Sequence, residues 1–195
     1  MMARQEDLGD LKLYRIPEPV TVASHAQKQV ALLSRTGIKV ETVYRSFLYG
    51  WQPGMVQPVL RVVKTRNAVA EGLGLPLPAG SLVMFTGAGE RPLLLGRGAI
   101  EDKAVGEDVE IAFGRATAVS IAAKSLSPTN AKVSDWEITA RNARPVPVRF
   151  ELQFSESGVK LVPAVALERR NGQPLWAVTI PANSEASLRY RIEKP

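Results

Sequence analysis

Apolar residues alternate with polar or charged residues along much of this chain, and this period of two constrains its fold more than any other feature. The clearest alternating runs cover residues 109–113, 136–140, 148–154, 176–180 and 188–192. Successive side chains of a strand point to opposite faces, so such runs predict antiparallel sheets with one face buried and one in water. Helical periodicity is never sustained for three turns, and only residues 69–73 and 26–33 are candidates for short helices, of which 26–33 could equally form a strand.

Turn-forming residues separate these runs at short intervals, since the 195 residues include 15 Gly and 14 Pro. Asn171-Gly172 stands between two strand-like runs, which predicts a type I′ hairpin. After residue 113 about seven strands fit into about 80 residues, the spacing of a β-sandwich. The sequence therefore predicts an all-β protein of two packed, antiparallel, β-sandwich-like domains. We expect the domains at residues 1–113 and 114–195, with the second immunoglobulin-like.

The absence of cysteine and the single histidine, His25, exclude several kinds of chemistry. A chain without cysteine has no disulfides, no thiolate metal sites and no cysteine nucleophile. One histidine cannot build a multi-histidine metal site, and no Gly-x-Ser-x-Gly elbow nominates a serine partner for it. His25 is therefore expected in a turn or on the surface. The sequence nominates no catalytic residue, no cofactor-binding residue and no metal ligand.

The net charge of +6 invites a nucleic-acid interpretation, but its distribution does not favour one. Residues 1–113 carry 13 basic and 12 acidic side chains, and residues 114–195 carry 12 basic and 7 acidic ones. The excess in the second part is scattered along alternating strands, without a run of five like charges. We therefore expect solvated strand faces and no nucleic-acid partner. The sequence also contains no apolar run long enough to span a bilayer and no signal peptide at its start.

Several segments together resemble one bacterial family. They are residues 9–14 (GDLKLY), 77–85 (LPAGSLVMF) and 104–114 (AVGEDVEIAFG), followed by Arg141-Asn142, residues 144–148 (RPVPV), 180–182 (IPA) and 187–191 (SLRYR). This order resembles the C-terminal β-rich region of mucoidy-inhibitor-A-like proteins, a domain of unknown function. The resemblance implies a β-rich fold and a location in the periplasm or cell envelope. It implies no catalytic residues.

The densest acidic segment contains Glu101-Asp102 and Glu107-Asp108 with Glu110. Carboxylates from loops can bind a hard cation, and a pair of them can hydrolyse a glycosidic bond. The alternating pattern of a calcium loop is absent, however, and a solvated turn explains the same residues. The alternatives are therefore a solvated turn, a metal site and a catalytic pair.

Aromatic residues concentrate in one short segment. Four of them fall within eight positions and form the candidate binding surface: Tyr44, Phe47, Tyr49 and Trp51. Tyrosine and tryptophan combine an apolar body with a polar tip, which suits interfaces and carbohydrate or peptide grooves. The alternative is that members of the segment alternate between the core and a hairpin surface. Trp136 and Trp176 lie on apolar strand faces and are expected in the core.

These observations favour a non-enzymatic binding or scaffold module of the bacterial cell envelope, with a protein or carbohydrate partner and no cofactor. The alternative is a carbohydrate-active or metal-assisted hydrolase that uses the acidic segment. The sequence predicts no transmembrane segment and specifies no oligomeric state.

Overall fold

The computed structural model describes residues 4–8, 11–15, 21–27, 33–87, 91–128, 132–156 and 158–194. The chain forms two units, Met1–Lys39 and Val40–Pro195. The first contains an antiparallel pair of strands, β1 (Arg4–Leu8) and β2 (Leu11–Arg15). His25 lies exposed in a turn of this unit, as predicted. The candidate helix at 26–33 lies mostly outside the described residues.

The second unit is built from twelve strands and one short 3₁₀ turn at Val69–Glu71, where a longer helix was a candidate. The strands are β3 (Glu41–Tyr49), β4 (Leu60–Arg66), β5 (Gly80–Thr86), β6 (Leu93–Ile100), β7 (Asp108–Arg115), β8 (Val119–Ser125), β9 (Val133–Asn142), β10 (Val148–Ser155), β11 (Lys160–Pro163), β12 (Glu168–Arg170), β13 (Gln173–Ile180) and β14 (Ser184–Glu193). The prediction of an all-β protein is therefore confirmed.

Two sheets of the second unit pack face to face. A six-stranded sheet has the order β12-β13-β10-β3-β4-β7, and a four-stranded sheet has the order β11-β14-β9-β8. The core between them contains apolar residues of both sheets, including Phe150 and Leu152 from the first and Ile138 and Leu188 from the second. Trp136 and Trp176 belong to this core, as predicted. The alternating pattern thus identified the buried face of each of these strands.

At the centre of the six-stranded sheet β3 pairs with β10 in parallel, whereas the other neighbouring strands of that sheet are antiparallel. The two partners are far apart in sequence, because Arg45 and Glu151, aligned in this register, are separated by 106 residues. A parallel pair needs a crossover connection, and here the intervening chain supplies other strands of both sheets.

The expected boundary between residues 113 and 114 does not separate two sheets. β3 and β4 precede it, β10 and β13 follow it, and all four share the six-stranded sheet. β7 itself runs through the boundary. Alternation shows that a segment is a strand and which face it buries, but it does not show which distant strand becomes its neighbour. The unit that contains both sheets begins at Val40.

β5 and β6 form a separate two-stranded ribbon that lies against β7. Gly96 and Gly98 face the same side of the ribbon, and a Cβ at either position would overlap the carbonyl oxygen of Phe113 or Ala112. Glycine therefore permits this close approach. Because residue 96 lies next to residue 113 and residue 98 next to residue 112, β6 runs past β7 in the opposite direction.

Candidate functional site

Two large aromatic side chains stand side by side on the surface where β3 ends. The ring centroids of Tyr49 and Trp51 are 6.1 Å apart, and the ring planes are tilted by 42°. Trp51 is 55% exposed and Tyr49 is 42% exposed. Met55, on the same connection, is exposed as well. The pair therefore presents a contiguous apolar surface with a polar atom on each ring.

The connection after β3 is fixed to the end of β10. The main-chain N–H of Gly50 donates to the carbonyl oxygen of Ser155 at 2.9 Å. A Cβ at residue 50 would overlap the side chain of Val159 and lie 2.9 Å from the same oxygen of Ser155. Only glycine allows the chain to pass here, so the residue before Trp51 is held by main-chain contact.

The same connection is also fixed to the four-stranded sheet. The carbonyl oxygen of Pro53 accepts a hydrogen bond from the buried hydroxyl of Tyr190 at 2.9 Å. Burial raises the pKa of Tyr190, so this hydroxyl stays protonated and remains a donor. A Cβ on Gly54 would lie 3.0 Å from the ring of Trp136. Trp51 is thus carried by a short connection that is anchored on both sheets.

The predicted four-residue surface is divided by the sheet. Tyr44 is buried in the core, and its hydroxyl accepts a hydrogen bond from Arg144, whose guanidinium lies 5.6 Å from the ring centroid. Phe47 is half-buried on the opposite face of β3. Tyr44 therefore does not belong to a surface, because even-numbered positions of β3 face the other sheet. The exposed part of the prediction is Tyr49 and Trp51.

A cluster of charged side chains covers the other face of the six-stranded sheet. Arg45 is 5% exposed and Glu151 is 3% exposed. The Nε of Arg45 donates to Glu151 at 2.8 Å, and its Nη1 donates to Glu110 at 2.7 Å. Lys64 donates to Glu151 at 3.1 Å, and Arg170 pairs with Glu110. Three cations thus hold two carboxylates across strands β4, β3, β10, β7 and β12.

Both carboxylates of this cluster are held ionised. Burial opposes the ionisation of Glu151 and Glu110, but the hydrogen bonds and charge of Arg45 outweigh burial and hold the pKa of each below its usual range. Burial likewise lowers the pKa of Arg45, and its hydrogen bonds to the two carboxylates raise it above the usual value. A general acid requires a raised pKa, so these carboxylates are suited to structure rather than to proton transfer.

The sequence pattern placed Glu151 on a wet strand face, and the structure shows it buried. Alternation assigns Glu151 correctly to the face opposite Phe150. It cannot show that neighbouring long side chains cover that face. The signal available in the sequence was two oppositely charged residues, Arg45 and Glu151, each at the centre of an apolar strand.

Four of the five acids of the acidic segment line one cleft, but cations line it with them. Glu107 accepts a hydrogen bond from the main-chain N–H of Ala104, and Asp102 accepts one from that of Ala79. An open, polar cleft of about 950 Å³ is lined by acids and cations together, including Glu101, Glu107, Asp108, Glu110, Arg66, Lys103 and Arg170. Within the described residues there is no group of three or more acidic or histidine side chains that could hold a metal ion.

The basic residues of the last strand are paired on the outer face of the four-stranded sheet. Arg189 donates to Glu137 at 2.9 Å, and Arg191 donates to Asp135 at 2.8 Å. Such cross-strand ion pairs are expected on a solvated strand face. A nucleic-acid site would need these arginines to contact phosphates, but here they are paired with carboxylates.

No family model matches this chain, and no curated protein matches it. In the part of the chain that the structure describes, no helix is long and apolar enough to cross a membrane.

Proposed function

We propose that this protein is a non-enzymatic binding module of the bacterial cell envelope, with a protein or carbohydrate ligand that contacts Tyr49 and Trp51. The observation that carries the proposal is the exposure of this ring pair on an anchored connection. The envelope location rests on the resemblance of the segments around residues 77–85 and 104–114 to the mucoidy-inhibitor-A-like region.

The anchoring of the connection supports a recognition role. Binding costs entropy when loops and side chains must be ordered, and a surface fixed beforehand avoids part of that cost. Gly50 and Pro53 fix the main chain on both sides of Trp51. Tryptophan and tyrosine are also the residues most enriched among energetically dominant contacts of interfaces.

The state of the charged side chains supports binding over hydrolysis. Glu110, the one acid shared by the cleft and the buried cluster, accepts hydrogen bonds from Arg45 and pairs with Arg170. A hydrolase that used it would need to release it from these cations first. No geometric observation favours the hydrolase, so we propose the binding module alone.

The test replaces Trp51 by a photo-crosslinking phenylalanine derivative in cells, and by alanine in the purified protein. We expect a specific crosslink to an envelope protein, or binding of purified peptidoglycan fragments that Trp51→Ala weakens at least about tenfold. The melting temperature of Trp51→Ala should stay close to that of wild type, since the side chain is exposed. Val69→Ala, an exposed position on the 3₁₀ turn, is the matched control.

Unaltered peptidoglycan binding by Trp51→Ala, together with no crosslink from position 51, would overturn the proposal. Hydrolysis of peptidoglycan fragments by the wild-type protein that is lost in Glu110→Gln would do so as well.

A further inference from the structure

The ribbon formed by β5 and β6 carries large apolar side chains that the described chain leaves uncovered. Phe85 is paired with Leu94 in the register of the ribbon, and Leu93 is paired with Thr86. Leu93 is 63% exposed and Leu94 is 57% exposed. Phe85 is 57% exposed and Val83 is 50% exposed. Exposed apolar groups that adjoin in this way mark interaction sites for proteins or membranes.

The exposed side chains point to both faces of the ribbon at one end. Leu93 and Leu94 are consecutive in β6, so they point to opposite faces. A one-residue register shift separates the pairs Met84–Gly96 and Phe85–Leu94, so alternation in β6 is interrupted at Leu95. Phe85 therefore shares the face of Leu94, while Leu93 shares the face on which Gly96 and Gly98 meet β7. A protein that docks on one face would leave the other in water. A lipid surface contacts side chains on all sides of an inserted end.

The charged side chains that the structure describes at and near this end of the ribbon are cationic. Arg91 and Arg97 are exposed, and they are the only charged side chains among the described residues of the segment 80–100. Arg61 is engaged internally, since it donates to a main-chain oxygen of β6 at 2.7 Å and lies over the ring of Phe113, whereas exposed Arg115 ends β7 on the side where β6 begins. The one acid in the segment, Glu90, lies outside the described residues. Exposed Arg91 and Arg115 therefore flank the apolar end, and exposed Arg97 lies further along the ribbon beside Val83.

We infer that the β5–β6 ribbon docks on an anionic phospholipid surface. Phe85, Leu93 and Leu94 enter the boundary between headgroups and acyl chains, and the exposed Arg91, Arg97 and Arg115 contact lipid phosphates. Insertion is shallow, because the outer main-chain groups of a two-stranded ribbon need water or headgroups as hydrogen-bond partners. This inference is independent of Tyr49 and Trp51 and adds a second contact to the proposed envelope module.

The test is sedimentation of the purified chain with two kinds of vesicle, phosphatidylcholine alone and equal parts of phosphatidylcholine and phosphatidylglycerol. We expect binding to the anionic vesicles that weakens with added salt. Phe85→Ser combined with Leu94→Ser should lower the partition coefficient at least about tenfold, because two exposed apolar side chains are lost. Replacing Arg91 and Arg97 by glutamine should lower it about fivefold for each arginine.

Two controls keep the result specific. Val165→Ser removes an exposed apolar side chain outside the ribbon and should leave vesicle binding unchanged. Trp51→Ala should also leave it unchanged, which separates this inference from the proposed function. Melting temperatures of all variants should match that of wild type, because every replaced side chain is exposed.

A second measurement places the contact directly. Phe85→Trp should give a fluorescence component that shifts to shorter wavelength with anionic vesicles and is quenched by brominated lipids. Absence of wild-type binding to anionic vesicles would overturn the inference, as would binding that the ribbon substitutions do not change. A vesicle-free dimer that Phe85→Ser and Leu94→Ser dissociate would instead assign the ribbon to a second copy of the chain, and would also overturn it.

Discussion

Replacing Arg45 by methionine tests how much of the fold depends on the buried charge cluster. The substitution keeps the volume of the side-chain stem but leaves Glu151 with Lys64 as its remaining cation. Removing one partner of a buried ion pair costs about 3–5 kcal/mol, because an uncompensated charge stays behind. Lys64 and Arg170 still hold the carboxylates in part, so we expect about 3 kcal/mol. With a urea dependence of about 2 kcal/mol per M, the unfolding midpoint should fall by about 1.5 M at pH 7.

The loss should depend on pH with a defined sign. Glu110 and Glu151 have a pKa in the folded state below the usual value. Their pairing therefore contributes stability that is complete above the unfolded pKa of about 4.3 and is lost as pH falls through the folded values. Arg45→Met removes the main group that lowers these pKa values, whereas burial still raises them. The difference in unfolding free energy between wild type and variant should shrink below about pH 5.

A double variant tests whether the loss of stability comes from the carboxylate that Arg45→Met leaves unpaired. Arg45→Met combined with Glu151→Met removes the stranded carboxylate as well, and well-packed apolar residues often replace a buried ion pair without loss. The double variant should therefore recover about 1–3 kcal/mol relative to Arg45→Met. A double variant no more stable than the single one, or a single variant that loses less than about 1 kcal/mol, would show that the cluster is solvated and energetically minor.

Three further substitutions have expected outcomes that a melting curve checks. Gly50→Ala brings a Cβ onto Val159 and should lower stability by about 1–3 kcal/mol; an unchanged melting temperature would show that the connection is loose. Gly96→Ala meets the carbonyl of Phe113 and should detach the ribbon from β7, detected as faster amide exchange in β6 and contradicted by unchanged exchange. Phe150→Ala should cost about 3–5 kcal/mol, because this side chain is fully buried in the core.

The local part of the fold could be predicted because it depends on neighbours in sequence. Asn171 and Gly172 both have positive φ, 50° and 77°, as a type I′ turn between β12 and β13 requires. Trp136 and Trp176 are buried because alternation places them on the apolar faces of their strands. These features follow from strand geometry and turn chemistry alone.

The long-range part could not be predicted, because alternation carries no information about partners. Nothing in residues 41–49 identifies β10 as the parallel neighbour of β3, so the sequence did not show that strands on both sides of residue 113 share one sheet. The lack of information about partner strands also explains why Tyr44 and Trp51 are predicted to share a surface. They are close in sequence, but Tyr44 is buried in the core and Trp51 is exposed. The burial of Glu151 is missed for the same reason, because the side chains that cover it come from strands far away in the chain.

The parallel pairing of β3 with β10 has a consequence for biosynthesis. When the ribosome has made β3 (Glu41–Tyr49) and β4 (Leu60–Arg66), the strand that completes the centre of their sheet, β10, begins only at Val148, about 80 residues further along the chain. Until then β3 has an open edge, which is a site for wrong pairing with other chains. Contact order this high also slows folding. We therefore expect the second unit to mature late, after β10 and β13 have left the ribosome, and to need protection from aggregation during that interval.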